Sequence, residues 1–238
     1  MPWQRHVTVP PADLAPVTAA RLAAAIGDAI AARGLCHLAV SGGRTPRAAF
    51  DLLAVMPLAW PAVHIWQVDE RVAADGDARR NANDLIEGLA RPVCLPSENL
   101  HLMPVTAADI ESAAGWYAHE LERACTGVLD VVHLGLGEDG HTASWVPGDP
   151  VVDDTHDVAL TAGLYQGTRR MTLTPPCVNR ARVRLLAVGG TAKAAAVRAF
   201  LSGDPSVPAT RLSPMTTVLD ATGSLGSKGN GHATPVTF

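Results

Sequence analysis

Short apolar runs that alternate with helix-like segments constrain the fold of this 238-residue chain more than any other feature. Four runs have the length and composition of buried strands: 35–40, 62–68, 129–134 and 183–188. Helical spacing of apolar residues marks four further segments: 15–33, 46–55, 107–125 and 192–201. Strands that alternate with helices predict an α/β fold, with a mostly parallel central sheet and helices on both faces in a Rossmann-like three-layer α/β/α arrangement.

The chain shows no internal repeat and no linker-like stretch before its last residues. Its length suits one large α/β domain, with a core that needs no metal or disulfide for stability. Residues 221–238 are rich in Gly, Ser and Thr and have almost no apolar pattern. We therefore predict a single domain over 1–220 and a flexible C-terminal tail over 221–238.

Charge and composition exclude several classes of partner. A net charge of −4 argues against a nucleic-acid binder that uses a broad basic surface. The apolar stretch 14–32 contains Arg21 and Asp28, so it does not qualify as a membrane span, and no signal region is visible at the N-terminus. The four cysteines are scattered and are expected to be buried, reduced thiols. We expect a cytoplasmic protein, a monomer or small homo-oligomer, without nucleic-acid or membrane partners.

Four polar loops follow predicted strand ends, which is the edge of a parallel sheet where ligands bind. The first is 41–45, SGGRT, whose glycines let the backbone approach a ligand and whose following helix attracts an anion. Ser41 and Thr45 add hydroxyl groups, and Thr45 and Pro46 are expected at the N-cap and the first helical position. The segment is either a phosphate-binding loop or a tight turn with a helix cap.

The second loop begins with Asp69, Glu70 and Arg71. An acid beside a base can hold a polar, anionic substrate, and a solvated charged loop is the alternative.

The third loop, 135–144, reads GLGEDGHTAS and places His141 two residues after Asp139. Histidine is the side chain best suited to transfer protons near neutral pH, and a neighbouring carboxylate can fix its tautomer. His133 leaves a metal site open as an alternative, but no second set of ligands is present, so we expect neither a metal nor a cofactor.

The fourth loop pairs Arg169 or Arg170 with Lys193. Lys193 falls in the first turn of a predicted helix, where the helix dipole disfavours a cation. A bound anion accounts for that position, and a surface lysine whose stem lies on the protein is the alternative.

Taken together, these loops resemble the 6-phosphogluconolactonases, which form a larger group with the glucosamine-6-phosphate deaminases/isomerases. The resemblance covers about 35–219. Segment 41–46 looks like the family's S-G-G-x-T-P loop, 69–71 like its D-E-R motif, and 133–147 like its most specific block, G-x-G-x-D-G-H-T-A-S. Segments 170–174 and 189–194 match its later phosphate-site pieces.

The resemblance implies hydrolysis of 6-phospho-D-glucono-1,5-lactone to 6-phospho-D-gluconate in the oxidative pentose phosphate pathway. His141 is the expected general base on water, and Asp139 is expected to orient its ring. Backbone N–H groups of the glycine loop are candidates for stabilising the oxyanion. The substrate and its phosphate are expected to contact Ser41, Gly42, Gly43, Thr45, Asp69, Arg71, Arg170 and Lys193.

Two other functions remain as alternatives. One is an isomerase or deaminase on the same scaffold, with Asp69 moving a proton at C2, and the other is a non-catalytic sugar-phosphate sensor. The deaminases continue with Ile-Ala-Phe after the histidine, whereas this chain has Thr-Ala-Ser at 142–144, which favours the hydrolase. The chain departs from the lactonase pattern at Trp145-Val146 and at Arg80; either departure could alter the pocket rim, and neither removes a group assigned to the chemistry.

Overall fold

Ten strands are present in the computed structural model, which describes residues 5–213 and 216–220. In chain order they are β1 Arg5–Val9, β2 Cys36–Val40, β3 Val63–Gln67, β4 Asp69–Arg71, β5 Leu100–His101, β6 Val131–Leu134, β7 Val158–Leu160, β8 Arg170–Leu173, β9 Val183–Val188 and β10 Thr216–Asp220. Seven of them form one sheet in the order β1-β10-β9-β6-β2-β3-β5, and every pairing in it is parallel. The predicted tail, 221–238, lies outside the described residues.

Helices cover both faces of this sheet. They are α1 Leu14–Arg33, α2 Arg44–Leu53, α3 Asn81–Leu85 with a π-helical turn Ile86–Ala90, α4 Ile110–Cys125, α5 Pro175–Arg180 and α6 Ala194–Ser202. Short 3₁₀ turns occupy Pro11–Asp13, Trp60–Ala62, Ser97–Asn99, Pro150–Asp153, Thr191–Lys193 and Pro208–Arg211.

Successive positions along a strand face opposite layers. Leu38 packs in one cluster with Leu22 of α1 and Phe50 of α2, whereas its neighbour Ala39 belongs to a second cluster with Tyr117 of α4. Apolar side chains are needed on both faces, which is why each central strand is a continuous apolar run. The predicted parallel three-layer α/β/α fold is confirmed.

A second, smaller sheet was not predicted. Strands β4, β8 and β7 pair antiparallel in that order. Segment 69–71 is therefore a strand and not the predicted loop, because its backbone pairs with 170–172. The same register sets Arg71 opposite Arg170.

Two further expectations concern α1 and the cysteines. Residues 11–33 are long and apolar enough, by composition, to be a candidate membrane span, and they include α1, which packs Leu22 and Ile26 into the core cluster described above. All four cysteines are unpaired, but Cys94 is exposed, so the expectation that all of them are buried is wrong.

Candidate functional site

An open cavity of about 880 Å³ lies at the carboxyl edge of the central sheet. All ten residues selected from the sequence line it: Ser41, Gly42, Gly43, Thr45, Asp69, Arg71, Asp139, His141, Arg170 and Lys193. The topology therefore gathers four loops that are distant in sequence around one volume.

The loop after β2 presents its polar groups to this cavity. Ser41 is buried, and its Oγ has no hydrogen-bond partner among the described residues. Gly42 lies so close to Asn81 that an added Cβ would stand 2.1 Å from the amide oxygen. Gly43, at φ 112°, is the N-cap of α2, so the expectation that Thr45 is the N-cap is wrong. The helix starts two residues earlier than that expectation requires.

Asp69 is buried in the wall of the cavity. Ser144 donates its hydroxyl proton to Asp69 Oδ2 at 2.7 Å, and the Asn81 amide donates to the Asp69 carbonyl at 2.9 Å and to Oδ1 at 3.3 Å. Both carboxylate oxygens therefore accept hydrogen bonds from fixed side chains.

The neighbouring Glu70 is structural. It is fully buried, and its carboxylate accepts from the backbone N–H groups of Asn81 at 2.7 Å and Ala82 at 2.8 Å, at the start of α3. Arg80 lies 3.2 Å from the same carboxylate and is itself buried. Arg80 is not among the residues that line the cavity.

Two arginines face each other across β4 and β8. Arg170 is only 4% exposed, and burial, followed by the positive charge of Arg71, lowers the pKa of its guanidinium. The Nε atoms of both side chains are buried without a hydrogen-bond partner in the described part of the chain. Neither arginine forms an ion pair with a described residue. Like charges placed opposite each other destabilise a sheet, and a bound anion would relieve this.

Arg169 and Lys193, the two other basic residues considered from the sequence, differ in whether they face the cavity. Arg169 turns away from the cavity and pairs with Glu111 at 2.9 Å. Lys193 lines the cavity, at the end of a 3₁₀ turn and at the N-cap of α6, one residue before the helix proper.

The glycine loop after β6 brings His141 and Asp139 together. His141 Nδ1 lies 2.6 Å from Asp139 Oδ1. Burial alone raises the pKa of Asp139, but the hydrogen bond and charge of His141 and the hydroxyl of Tyr165 outweigh it, so that this pKa is lowered. Gly137 is required here because an added Cβ would stand 2.0 Å from His141 Nδ1.

Two residues flanking this loop are part of the interior. His133 is fully buried next to Phe50, and burial lowers its pKa to about 4. No group of side chains suited to a metal ion occurs in the part of the chain that the structure describes. Trp145 is also fully buried and donates to the Leu173 carbonyl at 2.7 Å, so it is a core residue.

Sequence reasoning missed Tyr165 and Gln166, which line the cavity opposite the glycine loop. They belong to the hairpin between β7 and β8. The one local signal was the dipeptide Gln166-Gly167, a weak form of the Asn-Gly hairpin turn.

The fold and this site define a class of protein: an open parallel α/β protein whose cavity at the carboxyl edge of the sheet is lined by a histidine and several basic side chains. A family model described as glucosamine-6-phosphate isomerases/6-phosphogluconolactonase matches residues 10–222. A 6-phosphogluconolactonase of Synechocystis sp. is 37% identical over 174 residues, which is 71% of this chain and 72% of that relative. The chain belongs to the glucosamine-6-phosphate isomerase/6-phosphogluconolactonase family.

Solved structures of proteins with two different activities share this fold. A 6-phosphogluconolactonase from Thermotoga maritima matches with a TM-score of 0.83 at 23% identity, over 91% of this chain and 98% of that one. A monomeric glucosamine-6-phosphate deaminase matches with a TM-score of 0.82 at 17% identity, over 92% of this chain and 98% of that one. The fold by itself therefore does not separate the two activities.

Proposed function

We propose that this protein hydrolyses 6-phosphogluconolactone to 6-phosphogluconate. The observation that carries the proposal is the His141–Asp139 contact of 2.6 Å in the same cavity as the facing guanidinium groups of Arg71 and Arg170. A base for water and a receptor for a phosphate are the two groups that this reaction needs. The name of the Synechocystis relative agrees with it.

His141 acts as the general base. Asp139 accepts the Nδ1 proton of His141, which leaves Nε2 with its lone pair free to take a proton from water. The lactone carbonyl is electrophilic enough for direct attack at C1, so no covalent nucleophile is required. A positioned base of this kind supplies about 10²–10⁴-fold in rate.

The phosphate is held at the arginine end of the cavity. Arg71, Arg170 and Lys193 supply positive charge, and Ser41 supplies a hydroxyl, with the glycines of the same loop allowing close approach. Binding this remote group fixes the reacting carbon relative to the base, which raises the rate as well as the affinity.

Two N–H groups of the glycine loop are excluded as oxyanion donors in this conformation. Gly137 N–H donates to the His141 carbonyl at 2.8 Å, and Gly140 N–H donates to the Gly137 carbonyl at 3.2 Å. The loop uses these groups to hold its own shape.

The isomerase alternative depends on Asp69 as a base at C2. Its buried carboxylate lines the cavity, and that placement keeps the alternative testable. Glucosamine 6-phosphate incubated with the protein in heavy water should gain no deuterium at C2. Incorporation at C2 would favour the isomerase.

The direct test is acid release from freshly generated 6-phosphogluconolactone, measured for wild type and His141→Ala. We expect wild type to exceed spontaneous hydrolysis and the variant to lose on the order of 10²-fold or more. A wild-type rate equal to the spontaneous rate would refute the function, and equal rates for the two proteins would refute the role of His141.

A matched control exists in the same chain. His156 Nδ1 contacts Asp154 Oδ1 at 2.9 Å across the same two-residue spacing, but its side chain is 83% exposed and is not among those lining the cavity. His156→Ala should keep the wild-type rate. A loss there would mean that the assay reports damage to the fold.

A further inference from the structure

Tyr165 stands on a rigid hairpin turn beside the His141–Asp139 pair. Its N–H donates to the Thr168 carbonyl at 2.9 Å, and the Thr168 N–H donates back at 3.3 Å. The two central residues, Gln166 at φ 52° and Gly167 at φ 82°, are both left-handed, as a tight two-residue hairpin turn requires. The backbone that carries the tyrosine is therefore fixed by its own turn.

The hydroxyl group of Tyr165 contacts both members of the pair. It lies 3.0 Å from Asp139 Oδ2 and 3.1 Å from His141 Nδ1. An ionised carboxylate only accepts, and the hydroxyl has one proton, so Tyr165 donates to Asp139. The Nδ1 proton of His141 then points between Asp139 Oδ1 and the tyrosine oxygen, and this arrangement leaves Nε2 unprotonated.

The hydroxyl proton stays in place over a wide pH range. Burial, followed by the negative charge of Asp139, raises the pKa of Tyr165 to about 12. The donor to Asp139 is therefore present wherever the enzyme would work.

The same residue also contacts the phosphate end of the cavity. Arg170 donates from Nη2 to the Tyr165 carbonyl at 3.2 Å, and its guanidinium lies 5.3 Å from the centre of the tyrosine ring. Tyr165 thus touches the proposed base, its orienting carboxylate and the arginine proposed to bind phosphate.

We propose that Tyr165 is a positioning residue that holds Asp139 and the Nδ1-protonated tautomer of His141 in the geometry for general-base catalysis. The inference rests on the proposed function. Tyr165 acts through the Asp139–His141 pair and moves no proton of the substrate itself.

Tyr165→Phe tests this role because it removes the hydroxyl and keeps the ring under Arg170. We expect kcat to fall about tenfold, as for loss of one charge-assisted hydrogen bond, while KM stays within about twofold. Slow variants are assayed at raised enzyme concentration, with lactone still in excess, and the spontaneous rate of hydrolysis is subtracted. A kcat within about twofold of wild type would overturn the proposal.

Tyr117→Phe is the matched control, since the sequence contains two tyrosines. The Tyr117 hydroxyl accepts from the Gln67 N–H at 2.9 Å in the core. This variant should lose thermal stability and keep kcat, the reverse of Tyr165→Phe.

The Asp139→Ala background separates positioning from a general structural effect. If Tyr165 acts through Asp139, adding Tyr165→Phe to Asp139→Ala should change kcat by less than about twofold. A tenfold loss in both backgrounds would overturn the positioning role. An inactive wild type would overturn the proposed function and this role with it, whereas an active wild type with an unaffected Tyr165→Phe would overturn this role alone.

Discussion

Two groups of arginines at opposite edges of the sheet differ in what surrounds them. At the amino edge, Arg33 and Arg182 approach Asp130 at 2.7 and 3.4 Å, and the Asp130 side chain is 4% exposed. At the carboxyl edge, Arg71 and Arg170 face each other, and neither forms an ion pair within the described residues. The amino-edge cluster contains a counter-ion in direct contact, whereas the carboxyl-edge arginines form no such contact with any described residue, and the proposed function assigns them to the substrate's phosphate.

The largest effect expected from this difference follows removal of one carboxyl-edge charge. Arg170→Met should lower kcat/KM for the lactone about 10²-fold, mainly through KM, because a charge-assisted contact to phosphate is lost. Its free energy of unfolding should change little, because removal of a buried charge that faces Arg71 is offset by loss of the hydrogen bond to the Tyr165 carbonyl. Steady-state kinetics and urea unfolding measure the two quantities.

Arg169→Met is the control for that experiment. Arg169 immediately precedes Arg170 in the chain, and it pairs with Glu111 outside the cavity. Its kcat/KM should remain within about twofold of wild type. Equal losses in the two variants would mean that the overall positive charge of this region attracts the substrate, and that the facing pair of Arg71 and Arg170 does not.

Substitution at the amino edge should lower the stability of the fold and leave the activity unchanged. Asp130 also accepts from the His37 N–H at 2.8 Å, so Asp130→Ala leaves a buried donor and two arginines without their partner. We expect the free energy of unfolding to fall by about 2–3 kcal/mol, with kcat/KM unchanged where the protein is folded.

Asp153→Ala provides the exposed counterpart, since Asp153 is 71% exposed and pairs with Arg211 at 2.7 Å. That substitution should lower stability by less than about 1 kcal/mol. A loss as large as that of Asp130→Ala would remove the distinction between a buried counter-ion and a surface pair.

Inorganic phosphate should distinguish the two edges without any substitution in the catalytic pair. At ten times its Kd, phosphate should stabilise wild type by about 1.4 kcal/mol through mass action. Thermal melts should show this shift in wild type and Arg182→Met and not in Arg170→Met. A shift retained in Arg170→Met would place the phosphate elsewhere.

The smallest expected effect is a loss of folding stability as the pH is lowered. The pKa of His133 is about 4 in the folded protein because of burial, against an ordinary value of 6.5. The unfolded chain therefore takes up a proton between about pH 6.5 and pH 4 that the folded protein does not, and stability falls as pH falls through this window. His133→Leu should remove up to about 1.4 kcal/mol per pH unit from that slope.

Urea unfolding at several pH values checks this slope, with His119→Gln on the exposed side of α4 as the control. The control should keep the wild-type slope. An unchanged slope in His133→Leu would mean that other groups carry the acid sensitivity of the fold.

Much of the fold and the position of the site could be predicted from local pattern. Runs such as 35–40 must be apolar along their whole length because both faces of a central parallel strand are buried. The ends of parallel strands lie at one edge of a sheet, so loops 41–45 and 135–144 could be placed together before their contacts were known. The lactonase family could be identified from the same loops.

What the sequence by itself determined is therefore the layer architecture and the edge at which the polar loops meet, because both follow from periodicities within a single segment. Only the tertiary structure decided how distant side chains pair. The antiparallel register of β4 and β8 sets Arg71 against Arg170, and a hairpin with no strong local signal brings Tyr165 to His141. It also buries Arg80 and Trp145, two positions where the chain departs from the lactonase pattern, because burial depends on neighbours that no local pattern specifies.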